Sequence, residues 1–147
     1  MAANPVSEAE ARVIIAANGG SDLIYVPHRD KDLVASLVTF LAERDYVGGI
    51  FVDDSYGRIP GALPLSDIGL YGGSPLPRPT IAVTLKVFYL KPGDLQSAIQ
   101  VTDANLAQGQ GMHGGLGRES TFNNMAAIGP HFKRRFVDNA PVSPENS

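Results

Sequence analysis

Residues 30–54 read DKDLVASLVTFLAERDYVGGIFVDD and contain a helix pattern followed directly by a strand pattern. Asp30 can accept a hydrogen bond as an N-cap, and apolar residues follow it at helical spacing until about Arg44. These apolar residues are Leu33, Val34, Leu37, Val38 and Leu41. The glycines at 48–49 break the pattern, and residues 50–52 predict a buried strand that ends in two aspartates.

Strand patterns lie on both sides of this stretch. Residues 12–17 form a short apolar, β-branched run that predicts a buried strand, and residues 22–26 predict a second strand. Residues 80–89 alternate between apolar and polar side chains, which is typical of an antiparallel strand with one face in water. After a turn, residues 98–102 can return as its hairpin partner. The chain is therefore predicted to mix α and β structure.

Two segments are rich in glycine. Residues 55–79 combine glycine with proline and predict a long loop, with one helical turn after Ser66. A loop of this length is expected to be functional or to cover another part of the molecule. Residues 109–117 form a loop with a single histidine. A short helix from Arg118 and a short buried strand at 125–128 are predicted to follow.

Composition excludes several classes of protein. The chain has 147 residues, of which 44% are hydrophobic and 18% charged, so it is predicted to fold. A net charge of −3 disfavours nucleic acid and anionic membranes as partners. The absence of cysteine excludes disulfides, thiolate zinc sites and a cysteine nucleophile. The N-terminal residues lack a signal-peptide pattern, and no apolar run approaches the length of a membrane span.

His113 is the most informative candidate for chemistry. Glycines surround it, and they allow positive φ angles and the close approach of a ligand, as a metal or phosphate site requires. A solvent-facing histidine in a flexible loop has the same composition, and composition alone favours that interpretation. The spacing of Gly109, Gly111 and Gly114 matches a dinucleotide fingerprint, but the short helix that follows excludes this function.

Other polar residues have simpler interpretations. The aspartates at 53–54 can bind a cation at a strand end, although a solvated turn is the simpler role. His28 and His131 are expected at the surface, and the basic residues 133–135 form a phosphate site or a solvated edge. A zinc site needs three or four protein ligands, whereas the residues provide one good candidate, His113.

Two motifs give a family resemblance. Residues 112–118, MHGGLGR, and residues 125–133, MAAIGPHFK, resemble the alkaline phosphatase superfamily, and within it the type I phosphodiesterase/nucleotide pyrophosphatase family. Residues 17–25 and the strand end at 51–54 are similar to bacterial members. The chain departs from the usual pattern at His131, where the family commonly has aspartate.

The resemblance implies a zinc-dependent hydrolase. Members are similar in being α/β/α sandwiches, much longer than this chain, that bind two zinc ions and use a threonine or serine nucleophile. It implies that His113 is a zinc ligand, the last one along the chain. The motifs that carry the nucleophile and the other ligands do not occur here, so no catalytic residue is assigned. Relatives are often exported, and the compartment of this protein stays open.

The resemblance also implies a domain organisation. The fold class is α/β, a partial alkaline-phosphatase-like α/β/α sandwich with a small α+β accessory subdomain. Residues 1–104 would form that subdomain, with the antiparallel hairpin and the loop at 55–79. Residues 105–139 would carry the loop at 109–117, here called the His-Gly loop, followed by a short helix and a strand returning to the core sheet. Residues 140–147 would be a polar tail.

The resulting hypothesis is the C-terminal portion of a zinc-dependent phosphodiesterase or nucleotide pyrophosphatase, inactive alone. Its substrate would be a phosphodiester or nucleotide-type small molecule. Other hydrolases of the superfamily (phosphomonoesterases, sulfatases or phosphomutases) are an alternative, and so is a non-catalytic binding or structural module. An uncovered apolar face and a free sheet edge would favour self-association of the isolated chain.

Overall fold

The computed structural model describes residues 11–70, 75–107, 110–121, 126 and 128–137. The strands are β1 (Ile14–Ala17), β2 (Ser21–Tyr25), β3 (Val47–Val52), β4 (Leu63–Pro64), β5 (Ile81–Leu85), β6 (Val87–Tyr89) and β7 (Ala98–Gln100). The α-helices are α1 (Lys31–Ala42) and α2 (Arg118–Thr121), and short 3₁₀ helices span Asp54–Tyr56, Leu65–Ile68 and Leu95–Ser97. Neither α-helix of the described residues is long and apolar enough to span a bilayer.

The strands form an open sheet and a separate hairpin. The order in the five-stranded sheet is β1-β2-β5-β3-β4, and all neighbours are antiparallel except β3 and β4. Strands β6 and β7 form the two-stranded antiparallel hairpin. The mixed α/β content and the hairpin are therefore confirmed, and the part of the chain that the structure describes has one long helix and a mostly antiparallel sheet.

Helix α1 begins and packs as its sequence predicts. The Asp30 carboxylate accepts a hydrogen bond from the backbone N–H of Leu33 at 3.0 Å, which satisfies one of the free donors of the first turn. The buried side chains of the helix are Val34, Val38 and Leu41. They belong to one core cluster with sheet residues such as Ile24, Ile50, Val52, Ile81 and Val83. Burial of this apolar stripe, together with the cap, accounts for the helix.

Three strand predictions need correction. Strand β1 is not buried: Ile15, Ala16 and Ala17 are exposed, because β1 is the outermost strand of the sheet. The glycines at 48–49 do not precede the strand but lie inside β3, where the register with β5 shifts in a bulge. The predicted strand at 80–89 is two strands in different sheets.

Lys86 separates these two strands because its backbone changes partners. Its N–H donates to the carbonyl of Tyr46, and its carbonyl accepts from the N–H of Val101, both at 2.9 Å. The alternating side chains of residues 80–89 do not record this change. The hairpin partner itself is confirmed, since β7 pairs with β6.

The glycine-rich segments agree with prediction in part. The loop at 55–79 contains the 3₁₀ turn Leu65–Ile68 close to the predicted position, and its Tyr56, Ile59 and Leu65 side chains are buried. Helix α2 begins at Arg118 as predicted.

The end of the chain differs from prediction where it is described. The buried strand at 125–128 is wrong at Ile128, which is 99% exposed and is not in a strand. An apolar run indicates a segment that could be buried, but it does not show whether other residues pack over it. Met125, Ala127 and the predicted tail at 140–147 lie outside the described residues.

Candidate functional site

The His-Gly loop is attached through its backbone to the turn between β1 and β2. The N–H of Gly20 donates to the carbonyl of His113 at 3.1 Å. The carbonyl of Gly20 accepts from Leu85 N–H at 2.9 Å and from Gln100 Nε2 at 3.2 Å. The turn thus joins the loop to the sheet, while the His113 side chain is exposed.

Asn18 lies so close to the loop that residue 114 must be small. Gly114 has φ +86°, and a Cβ atom at this position would overlap the carbonyl oxygen of Asn18. It would also lie 2.6 Å from Asn18 Nδ2. Gly114 therefore allows the close approach of another backbone segment, whereas the sequence predicted that the glycines allow the approach of a ligand.

Two further contacts lie on either side of the loop in sequence. Asp103 forms an isolated antiparallel bridge with Gly19, and its N–H donates to the Gly19 carbonyl at 2.9 Å. On α2, Glu119 accepts a hydrogen bond from the hydroxyl of Tyr89 at 2.9 Å, and this bond raises the pKa of Tyr89. The loop is thereby held near both the five-stranded sheet and the hairpin.

The same turn brings together two aspartates, which sequence reasoning missed. Partial burial raises the pKa of Asp22, and repulsion by Asp103 and a hydrogen bond between the two carboxyl groups raise it further. Among the described residues, Asp22 Oδ1 and Thr102 Oγ1 are buried without a hydrogen-bond partner. Asp22 and Asp103 are far apart in sequence, so only the Gly19–Asp103 bridge reveals the pair.

The raised pKa of Asp22 predicts that Asp22→Asn stabilises the fold more at neutral than at acidic pH. The folded chain holds the Asp22 proton more tightly than the unfolded chain, so stability is lost as pH rises through the folded pKa. Asparagine removes this loss and retains the side-chain shape. Urea midpoints measured at about pH 3 and about pH 7 test the difference.

The matched control for this prediction is Asp45→Asn, a change at an exposed aspartate after α1. Its effect is expected to be small at both pH values. A gain from Asp22→Asn that is the same at both pH values would contradict a raised pKa of Asp22 in the folded chain.

The described residues supply one candidate metal ligand but not a complete site. Within them, no group of three or more histidine, aspartate or glutamate side chains comes together in a geometry that could hold a metal ion. An exposed imidazole on an anchored glycine loop fits the role of a single zinc ligand. A zinc ion at His113 would therefore need ligands beyond this part of the chain.

The aspartates at 53–54 act as turn caps. Asp53 accepts the N–H of Ser55 at 2.8 Å, and Asp54 accepts the hydroxyl of Ser66 at 2.6 Å. The hydrogen bond from Ser66 lowers the pKa of Asp54. Both contacts favour the turn interpretation over a cation site.

The remaining histidines and the basic cluster are at the surface. His28 and His131 are exposed, as are residues 133–135. Lys133 Nζ lies 4.8 Å from the centre of the Phe136 ring. This arrangement is that of a solvated edge, and no anion partner for the cluster lies among the described residues.

The chain was compared with known proteins, and no family model, curated protein or solved structure matches it. The family resemblance therefore depends on the motifs at 112–118 and 125–133 alone.

Proposed function

We propose that this chain contributes His113 as one ligand to the zinc centre of a phosphodiester hydrolase of the alkaline phosphatase type. The remaining ligands and the nucleophile would come from polypeptide outside these 147 residues. The observation that carries the proposal is the exposed imidazole of His113 on a loop whose backbone is bonded to the sheet through Gly20.

The anchored backbone supports a ligand role for physical reasons. Fixing one residue costs roughly 1–2 kcal/mol of conformational entropy, so a histidine on an unattached loop would bind a metal less tightly. The bond from Gly20 to the His113 carbonyl and the contact of Gly114 with Asn18 fix the loop before any metal arrives. The backbone of the loop would therefore lose little additional conformational entropy when a metal ion binds to the imidazole.

The chemistry assigned to this chain is limited to binding and orientation. Bound zinc ions would lower the pKa of a nucleophilic hydroxyl and stabilise charge on the phosphoryl oxygens. His113 would donate an imidazole nitrogen lone pair, and its exposed side chain is accessible to a metal ion. Asp22 and Asp103 give the neighbouring turn a negative character, which favours cations.

The finer fold assignment belongs to the same proposal. The five-stranded sheet, α1 and the hairpin would be the accessory subdomain of a larger α/β/α sandwich. The chain after the His-Gly loop would return to the core sheet of that sandwich, where it would find the cover that Ile128 lacks here.

The first test is the coding sequence upstream of Met1. It is expected to encode, in frame, an aspartate ligand, a threonine or serine nucleophile, and Asp-x-x-x-His and Asp-His motifs. In the protein that joins both parts, His113→Ala is expected to reduce zinc content and to lower phosphodiester turnover by at least about 100-fold. His131→Ala is the matched control and is expected to leave both unchanged.

Two outcomes would contradict the proposal. Zinc-dependent turnover by this chain alone, abolished by His113→Ala, would mean that a complete site lies within it. Full zinc content and turnover in the His113→Ala variant of the joined protein would exclude His113 as a ligand. Comparing phosphodiester, phosphomonoester and sulfate ester substrates would distinguish the alternatives within the superfamily.

A non-catalytic binding module is the second candidate, favoured by the apolar hairpin. Phe88 and Ile99 face each other across β6 and β7 and are both half exposed, and Leu90 beside them is exposed. Such a patch fits contact with another polypeptide. This candidate would be supported if the hairpin patch proved essential for function while His113 proved dispensable.

A further inference from the structure

A groove lies between the end of β2, the residues before α1, the turn after β3 and the segment before β5, and neither His113 nor the hairpin lines it. Its volume is about 670 Å³, within the range of small-molecule sites. Its walls combine aromatic, aliphatic and charged side chains, among them Tyr25, Arg29, Asp53, Tyr56, Leu76 and Arg78. We call it the Arg-Tyr groove.

The groove has a surplus of positive charge. Burial raises the pKa of Asp53, but hydrogen bonds from Ser55 and the charges of Arg78 and Arg29 outweigh this and lower it below its ordinary value. Asp53 is therefore ionised and offsets one of the two guanidinium groups. The nearby Asp30 carboxylate is already engaged by Arg12 at 3.2 Å. The groove thus attracts anions although the chain carries a net charge of −3.

Arg29 is held in place before any ligand binds. Its Nη2 donates to the hydroxyl of Ser55 at 2.7 Å, and its guanidinium carbon lies 5.5 Å from the centre of the Tyr56 ring. Its φ of 53° is uncommon for a residue other than glycine. A guanidinium has five N–H donors, so the bond to Ser55 leaves donors for an anion.

The other walls suit a flat apolar group. Leu76 is 73% exposed at the lip of the groove, and the Tyr25 ring is half-buried in its wall. An apolar body placed there would remove the Leu76 side chain from water. The groove therefore combines an anion-binding end with an apolar surface.

We propose that the Arg-Tyr groove binds a small aromatic anion, with a phosphate or carboxylate head group against Arg29 and Arg78 and a ring against Leu76 and Tyr25. Guanidinium groups recognise both head groups through forked hydrogen bonds, and both arginines line the groove. This inference is independent of zinc and of His113.

The test is a titration of the chain with phenylphosphonate, benzoate and inorganic phosphate, followed by NMR and calorimetry. Saturable binding is expected for phenylphosphonate or benzoate, with shifts at Tyr25 and Tyr56. The tighter of these two compounds identifies the head group, and inorganic phosphate is expected to bind at least several-fold more weakly. Arg78→Gln is expected to weaken binding about tenfold, the effect of losing a charged hydrogen bond.

Arg44→Gln is the matched control because it removes the same charge from an arginine that does not line the groove. Arg78→Lys keeps the positive charge but removes the forked pair of hydrogen-bond donors. This variant is expected to bind the aromatic anion with intermediate affinity. Three results would overturn the inference: no saturable binding of either aromatic anion, equal affinity for inorganic phosphate, or equal weakening by Arg78→Gln and Arg44→Gln.

Discussion

Ile81→Ala is expected to lower the free energy of unfolding by about 2–5 kcal/mol, the range for removing a large aliphatic side chain from a core. Ile81 is completely buried in β5. It lies opposite Ile24 on β2 and Val52 on β3, so its side chain joins both halves of the sheet. A cavity there cannot close without moving two neighbouring strands. Urea denaturation followed by far-UV circular dichroism measures the loss.

Ile15→Ala provides the matched control, since it makes the same chemical change in another strand of the same sheet. Ile15 is 62% exposed on the edge strand β1, and its substitution is expected to change stability by no more than about 0.5 kcal/mol. Equal losses from the two substitutions would contradict the strand order, in which β5 is central and β1 is at the edge.

The comparison of Ile81 with Ile15 also explains which parts of the fold the sequence can predict. Ile15 lies in a short apolar, β-branched run and Ile81 in an alternating segment, and the local pattern indicates a strand for each. Exposure depends instead on how many strands flank each one, and that is decided by pairing between distant segments. Helix α1 was predictable throughout because its cap at Asp30 and its apolar stripe are local features.

The bulge in β3 and the division at Lys86 are further nonlocal effects. Glycine ordinarily weakens a strand, and its use at 48–49 is understandable only beside β5, where the register shifts. Lys86 ends a strand because Tyr46 and Val101 offer its backbone new partners. The spacing of apolar and polar residues within 80–89 does not predict either of these backbone partners.

The functional surfaces also combine features that are local in the sequence with features that depend on contacts between distant segments. The glycines around His113 mark the loop in the sequence, but the turn at 18–20 to which it attaches is distant along the chain. Arg29 lies two residues after Pro27, and Arg78 lies between Pro77 and Pro79, so both segments have the composition of ordinary turns. Only the paired strands β2 and β5 bring the two arginines to one groove. Local chemistry thus finds single candidate residues, whereas sites made from several residues require the topology.

Gly114→Ala is expected to detach the His-Gly loop from the sheet. A residue with a side chain is strained at φ +86°, by about 1–2 kcal/mol, and the added Cβ would overlap the Asn18 carbonyl. Because the obstacle is backbone rather than a flexible side-chain end, the loop must move. The bond from Gly20 N–H to the His113 carbonyl should then break, and amide hydrogen exchange at Gly20 should accelerate by at least about tenfold.

Gly111→Ala separates this close approach from a general effect of adding a methyl group to a glycine loop. Among the described residues, no heavy atom lies within 4 Å of a Cβ built at Gly111, so the substitution is expected to leave the exchange of Gly20 unchanged. In the proposed zinc protein that joins both parts, Gly114→Ala should also weaken metal binding although it removes no ligand, because His113 would lose its fixed backbone. Slow exchange at Gly20 in the Gly114→Ala variant would mean that the loop tolerates the methyl group. It would then contradict the view that the close contact with Asn18 holds the backbone of His113 in place for metal binding.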